Sequence, residues 1–180
     1  MKTQCHNPYL PLWEHIPDGE PHVFEDRLYV FGSHDLENGN EFCEQDYVSW
    51  SAPLDDLSDW RYEGVIYRKD QDPYNVNVLP LYAPDVVQGR DGRYYLYYCI
   101  KFQDSINVAV CDTPAGQYEF YGRVQYKDGQ TMMENQTYDP SVICTEEGNF
   151  LYFGFAPSMI NIARYKDQDL KGVSIILLED

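Results

Sequence analysis

The sequence returns three times to one local pattern, and this repetition restricts the fold more than any other feature. The segments are Phe24-Glu25-Asp26-Arg27-Leu28-Tyr29-Val30-Phe31-Gly32, Gly89-Arg90-Asp91-Gly92-Arg93-Tyr94-Tyr95-Leu96-Tyr97-Tyr98 and Thr145-Glu146-Glu147-Gly148-Asn149-Phe150-Leu151-Tyr152-Phe153-Gly154. In each, an acidic or glycine-containing turn leads into a β-branched or aromatic run. Such turn residues accept positive φ, and the bulky residues fit a pleated surface, so each segment reads as a hairpin. Marked by Asp26, Gly92 and Gly148, the turns recur about 66 and then about 56 residues apart.

An apolar strand precedes each turn, and an acidic element containing proline opens each strand: Pro17-Asp18-Gly19-Glu20-Pro21, Ala83-Pro84-Asp85 and Tyr138-Asp139-Pro140. Further strands fill the intervals: Tyr47–Ser51 and Trp60–Tyr67, Ile106–Val110 and Tyr118–Gly122, Ile160–Arg164 and Ser174–Leu178. About four strands per repeat is one blade of a β-propeller. The expectation is therefore an all-β fold in which residues 1–180 form a partial propeller of about three blades. The blades span about 17–67, about 82–126 and about 137–180. No stretch carries sustained helical periodicity with caps at both ends, although Leu54 to Leu57 reads as a short helical turn.

In a propeller, the innermost strand of each blade lines the central channel. Residues that begin successive inner strands reach one axial pocket, so Asp18, Asp85 and Asp139 are expected to converge. Paired carboxylates can hydrolyse glycosides: one ionised group activates water while one protonated group supplies the leaving oxygen with its proton. A third carboxylate raises the acid's pKa by like-charge repulsion. The repeat alone leaves two other readings open, a turn cap shared by the three blades or a calcium site.

Composition narrows the partners. The formal net charge of −17 argues against nucleic acid and against an anionic membrane, which both call for a basic surface. No apolar run is long enough to cross a bilayer, and Met1-Lys2-Thr3 does not begin a signal peptide. Five widely spaced cysteines without a CxxC fit reduced thiols, and cytoplasmic localisation is the simplest expectation. The 17 tyrosines suit strands, interfaces and sugar sites, with strand packing expected to account for most.

The order Pro-Asp, His22-Val23-Phe24, Leu28-Tyr29-Val30-Phe31-Gly32-Ser33-His34-Asp35, then Tyr82-Ala83-Pro84-Asp85, then Tyr138-Asp139-Pro140-Ser141-Val142 resembles the family 43 glycoside hydrolases. The resemblance covers roughly residues 6 to 180. It implies a five-bladed propeller that hydrolyses, with inversion, xylose- or arabinose-containing oligo- and polysaccharides of plant origin (β-xylosidase or α-L-arabinofuranosidase type). It places Asp18 as the general base, with Glu20 as a substitute, and Asp139 as the pKa-modulating and orienting residue. Asp85, Tyr82, His34 and Asp35 become substrate-binding or structural residues, Tyr82 standing where the family motif has Trp. No cofactor is implied, a structural calcium ion aside. The family's general acid belongs to a later blade, and Glu179 comes too early for that role. The expectation is thus a portion incomplete for catalysis, or alternatively a non-catalytic carbohydrate-binding or structural half-propeller. Its open sheet edges would pair with a second copy of the chain or with the missing C-terminal blades.

Overall fold

The computed structural model describes residues 7–126, 128–133, 137–146 and 148–154, together with the backbone of Ser174–Leu178. The first sheet contains β1 (Glu20–Phe24), β2 (Arg27–Gly32), β3 (Tyr47–Pro53) and β4 (Arg61–Tyr67), paired in that order. The second contains β5 (Leu81–Gln88), β6 (Tyr94–Ile100), β7 (Ile106–Cys111) and β8 (Glu119–Arg123), again in chain order. The third consists of β9 (Ser141–Thr145), β10 (Gly148–Phe153) and β11 (Ser174–Leu178), with β10 in the middle. All pairings within the sheets are antiparallel.

The three anticipated hairpins are β1–β2, β5–β6 and β9–β10. Phe24 pairs with Arg27, which leaves Glu25 and Asp26 as a two-residue turn with Glu25 at φ +55°. Gly92, at φ +84°, bends the longer loop between β5 and β6, where its N–H donates to the carbonyl of Gly89. Contacts between sheets run through β5, which touches β1 and β2 of the first sheet and β9 of the third. This radial arrangement makes β1, β5 and β9 the inner strands of three propeller blades.

Two local expectations differ from the structure. The stretch Leu54 to Leu57 is covered by two successive turns, closed by the Asp56 N–H on the Pro53 carbonyl and the Asp59 N–H on the Asp56 carbonyl, whereas the short helical element is a 3-10 turn at Lys69–Gln71. There the Gln71 side chain accepts from the Arg68 N–H, a local bond that hydrophobic periodicity does not encode. Ser174–Leu178 was expected as an outermost strand, but it pairs directly with β10, the place that β3 and β7 hold in their sheets. Register is set by contacts across the sheet, so counting strands along the chain does not determine it. Ile160–Arg164 lies outside the described residues.

Of the inner strands, β5 is largely buried, whereas β1 and β9 bury only Phe24 and Val142. Phe24, Phe31, Tyr47, Ile66, Tyr67, Val86, Leu96 and Tyr98 belong to one core cluster between the first two blades. Ile106, Val108, Val124, Met132, Val142, Leu151 and Phe153 form a second cluster joining the second blade to the third. Full burial of one such side chain contributes about 1.5–3 kcal/mol.

Several tyrosines use both ring and hydroxyl. Tyr67 and Tyr98 hydroxyls lie 2.8 Å apart, and the Tyr98 hydroxyl donates to Asp72 Oδ2 at 2.5 Å. Asn107 Nδ2 donates to the same oxygen at 3.0 Å, so the buried carboxylate is satisfied from two strands. Among the described residues, no helix is long and apolar enough to cross a membrane.

Candidate functional site at the inner-strand ends

Asp18 and Asp139 occupy matching places, each two residues ahead of an inner strand, with φ of +53° and +51°. Asp is among the few residues that tolerate this left-handed conformation. In the second blade the matching left-handed residue is Ala83, at φ +34°, and not Asp85. The equivalence of the three carboxylates is therefore corrected: Asp85 stands two residues further on, within β5.

A bulge causes the offset. Tyr82 pairs with Cys99 and Asp85 pairs with Tyr97, so β5 carries one more residue than β6 across this stretch. The Ala83 N–H turns to Ser33 Oγ at 2.8 Å, and Pro84 has no N–H to satisfy. Asp-Pro and Pro-Asp look interchangeable in sequence. In the folded chain they set their carboxylates at different depths.

Asp85 is 1% exposed. Its Oδ1 accepts from His22 Nε2 at 2.6 Å, and its Oδ2 accepts from the Val142 N–H at 2.6 Å. His22 belongs to β1 and Val142 to β9, so one carboxylate clips all three inner strands together. Glu20 lies beside this clip, and its pKa is raised, first by burial and then by the charge of Asp85. Sequence reasoning gave His22 no role. The signal was its place in β1, two residues after Glu20 and hence on the same face.

Asp18 and Asp139 are brought to the same end of the inner strands. Asp139 is solvent-open yet hemmed in by protein, and the partial loss of water raises its pKa, with the charge of Asp18 adding to the rise. The charge of Asp18 also reaches Cys43, whose thiol burial pushes up to about 11. Cys99 is pushed up to about 12, again chiefly by burial, and its sulfur accepts from the backbone N–H of Asp139. Both cysteines are buried thiols around the acid pair, a placement their sequence positions did not reveal.

Tyr82 belongs to this surround. Its hydroxyl pKa is raised by burial and by the neighbouring Cys43, Tyr138 and Cys99, while its carbonyl accepts from the Tyr47 hydroxyl at 2.9 Å. His34 and Asp35 are engaged within the protein. His34 Nδ1 lies 3.0 Å from the Asp46 carbonyl, and its Nε2 lies 2.8 Å from Glu14 Oε1. Asp35 Oδ1 accepts from the Cys43 N–H at 2.7 Å. Glu14, which sequence reasoning passed over, has a side chain only 2% exposed; its second oxygen accepts from Trp50 Nε1 at 2.7 Å. This network ties the segment before β1 to the loop after β2.

Glu20, His22 and Asp85 offer ligand atoms that all lie within 4.8 Å of one another. Calcium takes six to eight oxygens. These residues offer two carboxylates and an imidazole, and both Asp85 oxygens already accept protein hydrogen bonds. The set is a poor match for calcium by itself.

Three blades whose inner strands present acids at one end define a β-propeller with an acidic axial site. Residues 22–175 match the family model of glycosyl hydrolases family 43, and the chain belongs to that family. It is 57% identical over 162 residues to a xylosidase/arabinosidase of Thermoclostridium stercorarium, an alignment covering 87% of this chain and 34% of that protein. It is 32% identical over 167 residues to a xylosidase/arabinosidase of Bacteroides ovatus, covering 86% of this chain and 47% of that one. The crystal structure of the GH43_1 enzyme of Xanthomonas citri complexed with xylotriose superposes with a TM-score of 0.62 at 27% identity, covering 81% of this chain and 42% of that chain. The chain thus spans between a third and a half of the length of these relatives. The fold is the five-bladed propeller type, with three blades present here.

Proposed function

We propose that this chain is the base-bearing portion of an inverting glycosidase acting on xylose- or arabinose-containing oligosaccharides. One observation carries the reading: two acids far apart in sequence stand at matching left-handed positions two residues ahead of β1 and β9, where loss of water and then the charge of Asp18 raise the pKa of Asp139. Asp18 is the general base, solvent-open and able to hold a water against the sugar. Asp139 supplies the second negative charge, which orients the substrate and keeps a nearby proton donor protonated. That donor comes from outside the described residues, on blades that complete the ring. In an inverting site the base and acid stand roughly 6.5–9.5 Å apart, leaving room for the water. The −17 charge suits a neutral sugar substrate. Relatives named for xylosidase and arabinosidase activity, and a related structure holding xylotriose, support this substrate class.

The test is turnover of 4-nitrophenyl β-D-xyloside and α-L-arabinofuranoside by the chain and by Asp18→Asn. An aryl leaving group needs little help from an acid, so a working base shows as activity that the substitution lowers by about a hundredfold or more. Activity unchanged in Asp18→Asn removes that residue from the role. Sugar binding without any turnover would mark a carbohydrate-binding half-propeller.

A further inference from the structure

We propose that Cys99 is a positioning residue, whose buried thiol fixes the backbone turn that aims the Asp139 carboxylate into the axial site. The proposal rests on the glycosidase reading for what Asp139 does there.

Cys99 lies on β6, beside β5 in the second blade, and is 0% exposed. It pairs across the ladder with Tyr82, at the edge of the bulge in β5. Its thiol is engaged on two sides. Cys99 Sγ donates to the Tyr82 carbonyl at 3.5 Å and accepts from the N–H of Asp139. The Tyr82 carbonyl also accepts from the hydroxyl of Tyr47, a residue of β3, at 2.9 Å. One sulfur therefore ties the segment ahead of β9 to the second blade and, through Tyr82, to the first.

The backbone at Asp139 calls for such a hold. Its φ of +51° is unfavourable for a residue with a side chain, and a conformation of this kind persists where surrounding bonds overdetermine it. Pro140 follows and has no N–H with which to anchor the turn. On the near side, the Gly154 N–H donates to the Tyr138 carbonyl at 2.8 Å, and the Phe102 N–H donates to the Tyr138 hydroxyl. At Asp139 itself the hold is the bond to Cys99. The carboxylate springs from the same Cα, so rotation of this backbone carries it away from Asp18.

A neutral thiol suits the place. Burial pushes the Cys99 thiol up to about 12, so it keeps the proton that it gives to Tyr82 and adds no third negative charge beside the two acids. The ionisable groups that act on Asp139 or feel its charge are Asp18 ahead of β1, Tyr47 of β3, Cys99 of β6 and the adjacent Tyr138.

Carbon-13 NMR titration of the Asp139 carboxyl carbon in the 180-residue chain tests the role. Cys99→Val keeps an apolar side chain of similar size but can neither donate nor accept. It is expected to lower the Asp139 pKa by about half a unit or more, as the carboxyl turns toward water and away from Asp18. Cys99→Ser can do both and should hold that pKa within about 0.2 units. A role in packing alone predicts the opposite order, because valine fills the space and serine leaves a gap. Matching melting curves would show that the variants fold. An Asp139 titration unchanged in Cys99→Val, or displaced as far in Cys99→Ser as in Cys99→Val, overturns the proposal. If Cys99→Val does not fold, amide hydrogen exchange in the unmodified chain decides: a protected Asp139 N–H supports the bond, and exchange as fast as that of an exposed loop amide overturns it. The glycosidase reading is tested separately by aryl glycoside turnover. A displaced titration without turnover would remove that reading and leave Cys99 as the residue that sets Asp139.

Discussion

Replacing Asp85 by alanine should loosen the joint between all three blades. The side chain is 1% exposed and receives two hydrogen bonds of 2.6 Å, from His22 Nε2 and from the Val142 N–H. Truncation leaves the Val142 N–H buried without an acceptor, which costs about 1–3 kcal/mol. It also removes a bond to a charged group, about 1.5–3 kcal/mol. His22 is 28% exposed and can turn to water, so the lower half of the combined range applies, about 3 kcal/mol. For a chain of this length each kcal/mol lowers Tm by about 2–4 °C, giving a fall of roughly 6–12 °C. Asp85→Asn keeps an oxygen for Val142 and should lose about half as much. Urea unfolding and thermal melting followed by circular dichroism measure both variants. An alanine variant melting within about 2 °C of the unmodified chain, or an asparagine variant as damaged as the alanine one, would refute the clip.

Two further outcomes follow from the same geometry. Asp139 has a raised pKa, so between its unfolded and folded pKa values the folded chain binds more protons than the unfolded chain. Stability from this group is thus present below the unfolded value near 4 and lost as pH rises through the folded value. Asp139→Asn, which also tolerates the left-handed backbone, should be as stable as the unmodified chain or more so at pH 7, and should lower any aryl glycoside turnover. A marked loss of Tm at pH 7 would make Asp139 a structural cap instead. Glu14→Ala removes the acceptor of Trp50 Nε1 and the partner of His34, at a cost of about 2–4 kcal/mol. The fluorescence of Trp50 should shift to the red if the segment before β1 detaches, and an unchanged spectrum and Tm would count against the network.

The strands, the three hairpins and the radial repeat are local properties, and they are legible in the sequence. Turn residues and alternating or continuous apolar runs specify a hairpin without help from distant parts of the chain. The meeting of Asp18 and Asp139 is legible for the same reason, since a repeated unit carries its equivalent residues to equivalent places.

Only the tertiary structure decided what Asp85 does. One additional residue in β5, with Ala83 in the left-handed position, moves that carboxylate from the rim into the core, where it meets His22 and Val142. A bulge is stabilised by bonds to other blades, here Ser33 Oγ to the Ala83 N–H, and no periodicity records it. The roles of Glu14, Cys43 and Cys99 were hidden in the same way. Their partners are set by how loops from separate blades fall against one another, and that depends on packing across the whole molecule.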